Sequence, residues 1–374
     1  MRRRSAADHS DQIERLLGEA NSLPHGATRI ELCEEAARIA DAHGDLGLAY
    51  RARDQLVEAA CYGARPDLMI VAFSWCLSTY DRHPEQDISE YVLLWRMKWV
   101  IGSLANFPDI DGATIQRMLD DMERRFRAYG GSIQPVLGKR RSIAAQHGNH
   151  EAAREAHQKF QKLPRTLLSD CHACEMRTLG WYYLEIGKLR LGIRKTEEVI
   201  ASGMTCARVP NVAFASLLLP LLEVGRAEEA MKYHKQGYPM IAKDADYLWS
   251  CGEHMSYLAL TGNDARAIKL MQTHFPALEA SYDPLASLGF LRNALLTLEC
   301  LAERKDRIKL RLPSDSPLAN ESGEYVLTDL VVRTRERVLE LSRRFDTRNG
   351  NGHFVGLLNE LPKLRKKAVR VSLS

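Results

Sequence analysis

"MRTLGWYYLEIGKLRLGIRKT", residues 176–196, sets two helical patterns back to back with a single glycine between them. Met176, Leu179, Gly180 and Tyr183 recur at the three- and four-residue spacing that marks one face of an α-helix. Gly187 then offers the residue type that best tolerates the left-handed backbone at a helix end. Five residues further on stands Gly192, small enough to let the second helix approach the first closely. The stretch predicts an antiparallel helical hairpin.

The same turn recurs in "HGNHEAAREAH", "VGRAEEAMKYH" and "TGNDARAIKLM", so the loop glycines are Gly148, Gly187, Gly225 and Gly262, spaced by 39, 38 and 37 residues. A small residue follows each at the same distance: Ala153, Gly192, Ala230 and Ala267. A period of that length built from two helices is the signature of a solenoid, in which each hairpin buries its apolar face only by stacking on its neighbours. Before Gly187, residues Met176, Leu179, Gly180 and Tyr183 stand at the W-x2-L-G-x2-Y offsets, and Phe214, Leu217, Leu218 and Leu221 stand at the same offsets before Gly225. On these residues, 132–301 resembles a tetratricopeptide-repeat array of the kind found in uncharacterised bacterial proteins. The departure is at His157, Thr196, His234 and Met271, where that family places a large aromatic, and it predicts divergent packing between repeats. The resemblance implies an all-α superhelix of antiparallel hairpins that binds a protein or peptide on its concave side, lined by the first helix of each hairpin.

Outward from the array, residues 1–27 are expected to form an arm and a first helix, and 28–131 further hairpins, with helix breaks at Gly44, Pro66 and Pro84. Residues 302–325, where Pro, Ser, Asn and Gly cluster, are expected to be a loop. Residues 326–374 are expected to supply a long capping helix, stopped at Asn349-Gly350 and laid over the last repeat, and then a basic tail. The biased ends, "MRRR" and "KLRKKAVR", are expected to be solvated and frayed, with a loose contact to acidic partners as the second reading.

Fifty-two Lys and Arg against 48 Asp and Glu leave a net charge of +4, too small and dispersed to argue for a nucleic-acid partner. No apolar run was expected to reach the length of a membrane span, no secretion signal is legible, and a cytoplasmic protein of undetermined oligomeric state is expected. Phosphate-loop, dinucleotide, zinc-protease and nucleophile-elbow motifs are missing from the sequence, so the expectation is a non-enzyme. His157 and His234 share one repeat offset, which points to structure, and the charges of "MLDDMERRF" and "RTRERVLELSRRF" read as solvated helix faces with neighbouring opposite charges.

One segment keeps three readings, of which a reactive or disulfide-forming cysteine pair is one. In "SDCHACE" (169–175), His172 lies between the cysteines, which excludes haem attachment, and no strand precedes them, which excludes a thioredoxin-like site. The default reading is a helix start with Asp170 as N-cap and buried thiols, as for the other cysteines in this chain. The third is zinc. Cys171 and Cys174 open one hairpin and Cys206 lies where that hairpin ends, so the three can converge with Asp170, His172 or His254 as a fourth ligand. No other cofactor is expected.

For binding, the register places Lys139, Arg177, Trp181, Trp249 and Glu253 on the concave side, and Trp and Arg are the usual anchors of such surfaces. The alternative for either indole is to fill the core between repeats. A non-enzymatic scaffold that binds a protein or peptide is the first functional reading. A regulator whose solenoid changes pitch on binding a ligand is the second.

Overall fold

The computed structural model describes the backbone of residues 2–373 and the side chains of residues 9–373. The side chains of the basic "MRRR" start lie outside the described residues. Along the chain run α1 (Arg2–Ser22), α2 (Ala27–His43), α3 (Leu46–Tyr62), α4 (Pro66–Arg82), α5 (Glu90–Leu104) and α6 (Gly112–Ala128). They are followed by α7 (Gln134–Gln146), α8 (His150–Phe160), α9 (His172–Glu185), α10 (Leu189–Ala201), α11 (Asn211–Glu223) and α12 (Ala227–Ile241). Last come α13 (Leu248–Leu260), α14 (Asp264–Glu279), α15 (Pro284–Ala302) and α16 (Leu327–Asn349). Helices pack mainly on their neighbours in sequence, the arrangement of an all-α solenoid of antiparallel hairpins.

The chain forms two compact units. The first comprises residues 1–106, 113–139 and 164–168. Its helix breaks fall where chain-breaking residues stand: Gly44 closes α2 in a left-handed conformation (φ 68°) and Pro66 opens α4 at a position that needs no amide hydrogen. The buried faces are rich in alanine, with Ala36, Ala40, Ala52, Ala59 and Ala60 all inaccessible, so neighbouring helices approach closely.

The second unit comprises residues 107–112, 140–163 and 169–374. Gly148, Gly187, Gly225 and Gly262 all adopt positive φ, between 75° and 83°. At each turn the residue after the glycine donates to a carbonyl five residues back: Asn149 to Ala144, Lys188 to Tyr183, Arg226 to Leu221 and Asn263 to Leu258, at 2.8–2.9 Å. Four copies of one helix-ending motif therefore set the repeat. Ala153, Ala230 and Ala267 are fully buried beyond those turns. At Gly192 a methyl group would come within 2.6 Å of Leu184 Cδ2, so the close crossing of α9 and α10 depends on its absence.

The first helices of the hairpins form a row, α9 beside α11, α11 beside α13 and α13 beside α15. α13 and α15 are the most deeply buried elements, contributing Met255, Tyr257, Leu258, Phe290, Leu295 and Leu301 to the largest core cluster. One expectation is corrected here. Pro284–Ala302 is long and apolar enough to cross a membrane by length and composition, but 78% of its apolar window is buried within the fold. It is apolar because most of it is covered by the fold.

Between α15 and α16 the expected loop contains a small antiparallel hairpin, β1 (Arg307–Lys309) with β2 (Glu324–Val326), which buries Ile308 and Tyr325 opposite each other. Three-residue strands are too short to show alternation in sequence. α16 then packs on α15, burying Leu327, Leu330, Val338 and Phe345, and ends at Gly350 in the left-handed conformation. Its arginines pair beyond their own helix face: Arg337 binds Glu279 at 2.8 Å and Arg335 binds the buried Glu299. The basic tail is not frayed either. The Val369 and Val371 amides donate to the Leu260 and Thr261 carbonyls, and Asn263 Nδ2 donates to the Val371 carbonyl at 3.0 Å.

Candidate functional site

α9, α13 and α15 of the second unit carry a set of polar and aromatic side chains that act on one another. Two Trp-x3-Glu pairs, Trp181 with Glu185 on α9 and Trp249 with Glu253 on α13, place indole and carboxylate one helical turn apart. In each pair the indole lies near enough to help stabilise the ionised carboxylate. Gly289 on α15 makes room for Trp249, since a methyl group there would collide with the indole ring. One turn further along α15, the Arg292 guanidinium stands 5.5 Å from the centre of that ring.

The electrostatics tie these residues into one network. Burial pushes the Glu253 carboxyl up to about 7, against the opposing pull of Arg292, the Trp249 N–H and Arg177, while Glu185 adds to the rise. Glu185 is raised as well, by burial, with Arg292 and Trp181 opposing. Arg177 and Arg292 are lowered by burial. All four charged residues nevertheless retain partial solvent exposure. These interacting, partly exposed charges mark the candidate recess.

Each indole is half-buried: Trp181 packs against the cluster of Ala145, Ala153 and Tyr182, and Trp249 against the main core. Of the residues expected on the binding side, Arg177, Trp181, Trp249 and Glu253 lie in the second unit and share this network. Lys139 lies in the first unit, where its Nζ approaches Gly102. Glu185, Gly289 and Arg292 escaped sequence reasoning. The doubled Trp-x3-Glu spacing was the available signal for Glu185, whereas Arg292 sits in a long apolar helix with no pattern to single it out.

At the edge of the same unit, the Sγ atoms of Cys171, Cys174 and Cys206 lie within 4.8 Å of one another. Cys171 is the N-cap of α9, with extended ψ of 154°, which corrects the expectation that Asp170 would hold that position. Cys174 is one turn inside the helix. Cys206 sits in the turn after α10, where it exchanges two backbone hydrogen bonds with Val209, at 3.0 and 3.2 Å. Cys171 and Cys206 are exposed and Cys174 is intermediate, so the expectation of buried thiols at a helix start is corrected as well. That reading does describe Cys33, Cys76, Cys251 and Cys300. None of Asp170, His172 and His254 joins the cluster among the described residues. His254 is fully buried elsewhere, with its Nδ1 3.0 Å from His234 Nδ1.

His157 and His234, at one repeat offset, are both buried. His157 Nε2 meets the Tyr183 hydroxyl at 3.2 Å, so both act across the joint to the next hairpin. No protein-family model matches this sequence, and no curated protein is significantly similar to it.

Proposed function

We propose that this protein is a non-enzymatic binding scaffold of tetratricopeptide-like type, whose second unit holds an extended segment of a protein partner along the row α9–α11–α13–α15. The observation that carries this reading is the doubled Trp–Glu pair, crossed by Arg177 and Arg292. Two indoles and four under-solvated charges in a reachable recess are costly to keep unless a ligand completes their interactions. Indole surface provides rigid contact area at low entropic cost, and arginine provides directional donors.

Raised carboxyls identify the side chains such a segment would carry. Glu185 and Glu253 lack enough positive charge despite their arginine neighbours. A lysine or arginine of the bound segment would relieve them and could lie against an indole. α11, between the two pairs, buries most of its leucines in the core but leaves Val212, Leu219 and Pro220 partly exposed, an apolar interval for one hydrophobic side chain. The preferred ligand is thus an extended peptide with basic residues flanking an apolar one.

The test is selection from a displayed random-peptide library on the intact protein, with counter-selection on Trp181→Ala/Trp249→Ala. Basic–apolar–basic peptides that bind the parent and not the variant support the reading. Absence of enrichment, or equal binding to both proteins, contradicts it.

A further inference from the structure

We propose that Cys171, Cys174 and Cys206 form a zinc site, in which three thiolates bind one Zn2+ and tie the start of α9 to the turn that leads from α10 into α11. This inference is independent of the peptide-binding reading.

Geometry comes first. Sulfur atoms sharing a tetrahedral zinc at a Zn–S distance of about 2.3 Å stand about 3.8 Å apart. The three Sγ atoms, drawn from positions up to 35 residues apart in sequence, lie within 4.8 Å of one another. Small side-chain rotations close the rest. Each ligand is also on a rigid support: Cys171 and Cys174 flank the first turn of a helix, and Cys206 is held by its paired hydrogen bonds to Val209.

Packing does not account for the cluster. Cysteines that serve as small hydrophobes are buried, as four others in this chain are, whereas Cys171 and Cys206 are exposed. Beneath them Ala173, Val199 and Val209 form a small apolar cluster that Cys174 only borders. Thiolates gathered this closely repel one another, and a divalent cation that binds all three offsets that repulsion. The amino end of α9 favours the same anionic state. Binding releases up to three thiol protons, and a fourth ligand for tetrahedral zinc would come from outside the three cysteines.

The site also has a place in the solenoid. Arg177 follows Cys174 by one helical turn and interacts electrostatically with it, so the metal would fix the end of α9 that carries a recess-lining guanidinium.

The experiment uses the full chain, with any affinity tag removed, purified under reducing conditions without chelator. Elemental analysis should find about one zinc per chain. Cys171→Ser and Cys206→Ser should each retain almost none, while Cys61→Ser, a half-exposed cysteine of the first unit, should keep the parent's content. Because a ligand variant may fail to fold, the metal-stripped parent is titrated with Co2+ in parallel. The expected result is tetrahedral ligand-field bands with thiolate-to-cobalt charge transfer, saturating near one equivalent and bleached by zinc. The proposal is overturned if the reduced parent neither carries zinc nor develops the cobalt spectrum. Equal zinc in the parent and in both ligand variants would overturn it too.

Discussion

Gly192→Ala sets two well-understood effects against each other within one methyl group. Gly192 lies inside α10, where Ala is favoured over Gly by about 1 kcal/mol on helix propensity alone. The added Cβ would meet Leu184 Cδ2 at 2.6 Å, Leu184 Cγ at 2.7 Å and the Leu184 backbone nitrogen at 2.8 Å. A side chain can rotate away, but a backbone amide in the facing helix cannot move without separating α9 from α10. Overpacking of this kind costs about 1–3 kcal/mol, and the backbone contact places Gly192 toward the upper end. The net expectation is destabilisation by about 1–2 kcal/mol. Gly18 is the matching control. It is also inside a helix, and nothing lies within 4 Å of the Cβ it would gain, so Gly18→Ala should stabilise by about 0.5–1 kcal/mol. Urea unfolding followed by circular dichroism measures both. If Gly192→Ala proved as stable as the parent, or gained stability as Gly18→Ala should, the close crossing assigned to the hairpin would be wrong.

Three further outcomes are expected. Ala230→Leu, at the equivalent position of the next hairpin and fully buried, should cost about 1–3 kcal/mol in the same assay; an unchanged midpoint would refute the shared register. Burial holds His234 and His274 near 4 and His254 well below its ordinary value, so these rings stay neutral in the fold while the unfolded chain protonates near 6.5. Their contribution is therefore complete above about pH 6.5 and is lost as pH falls toward 4; a urea midpoint that stays flat across that window in a chain carrying Glu253→Gln would contradict their burial. Glu253 has the opposite sign. Its folded value near 7 exceeds that of an unfolded glutamate, so stability falls as pH rises from about 4.5 to 7. Glu253→Gln should remove that slope, gaining on the parent at pH 8 relative to pH 5, and equal profiles would show that the carboxylate is well solvated.

The repeat was legible because its determinants are local. A left-handed turn leaves a glycine, a close crossing leaves a small residue, and both recur at a fixed spacing whatever the chain binds. The capping helix was legible for the same reason, through Asn349-Gly350. The two-stranded hairpin was not, because three residues cannot display a period. Nor was the anchoring of the tail, which depends on backbone groups of Leu260 and Thr261 that any side chains would present. Within the recess, Trp181 and Trp249 could be picked out because aromatic residues at helical positions draw notice. Arg292 could not, because its role arises from where α15 lies beside α13. The proximity of the three sulfurs needed the fold as well: spacing suggested that Cys206 could meet Cys171 and Cys174, and the exposure that separates a ligand from a core thiol is a property of the packed structure alone.

The central claim, that the second unit binds its partner along α9 and α13, is tested most directly by the indole N–H region of an NMR spectrum. The chain has five tryptophans, and only Trp181 and Trp249 stand at the proposed recess, while Trp75, Trp95 and Trp99 belong to the first unit. Assignment by single Trp→Phe variants, followed by titration with a selected basic–apolar–basic peptide, gives the answer. The signals of Trp181 and Trp249 should shift together and saturably, while the other three stay in place. A saturable shift confined to Trp75, Trp95 or Trp99, or binding that leaves all five signals unmoved, would contradict the account.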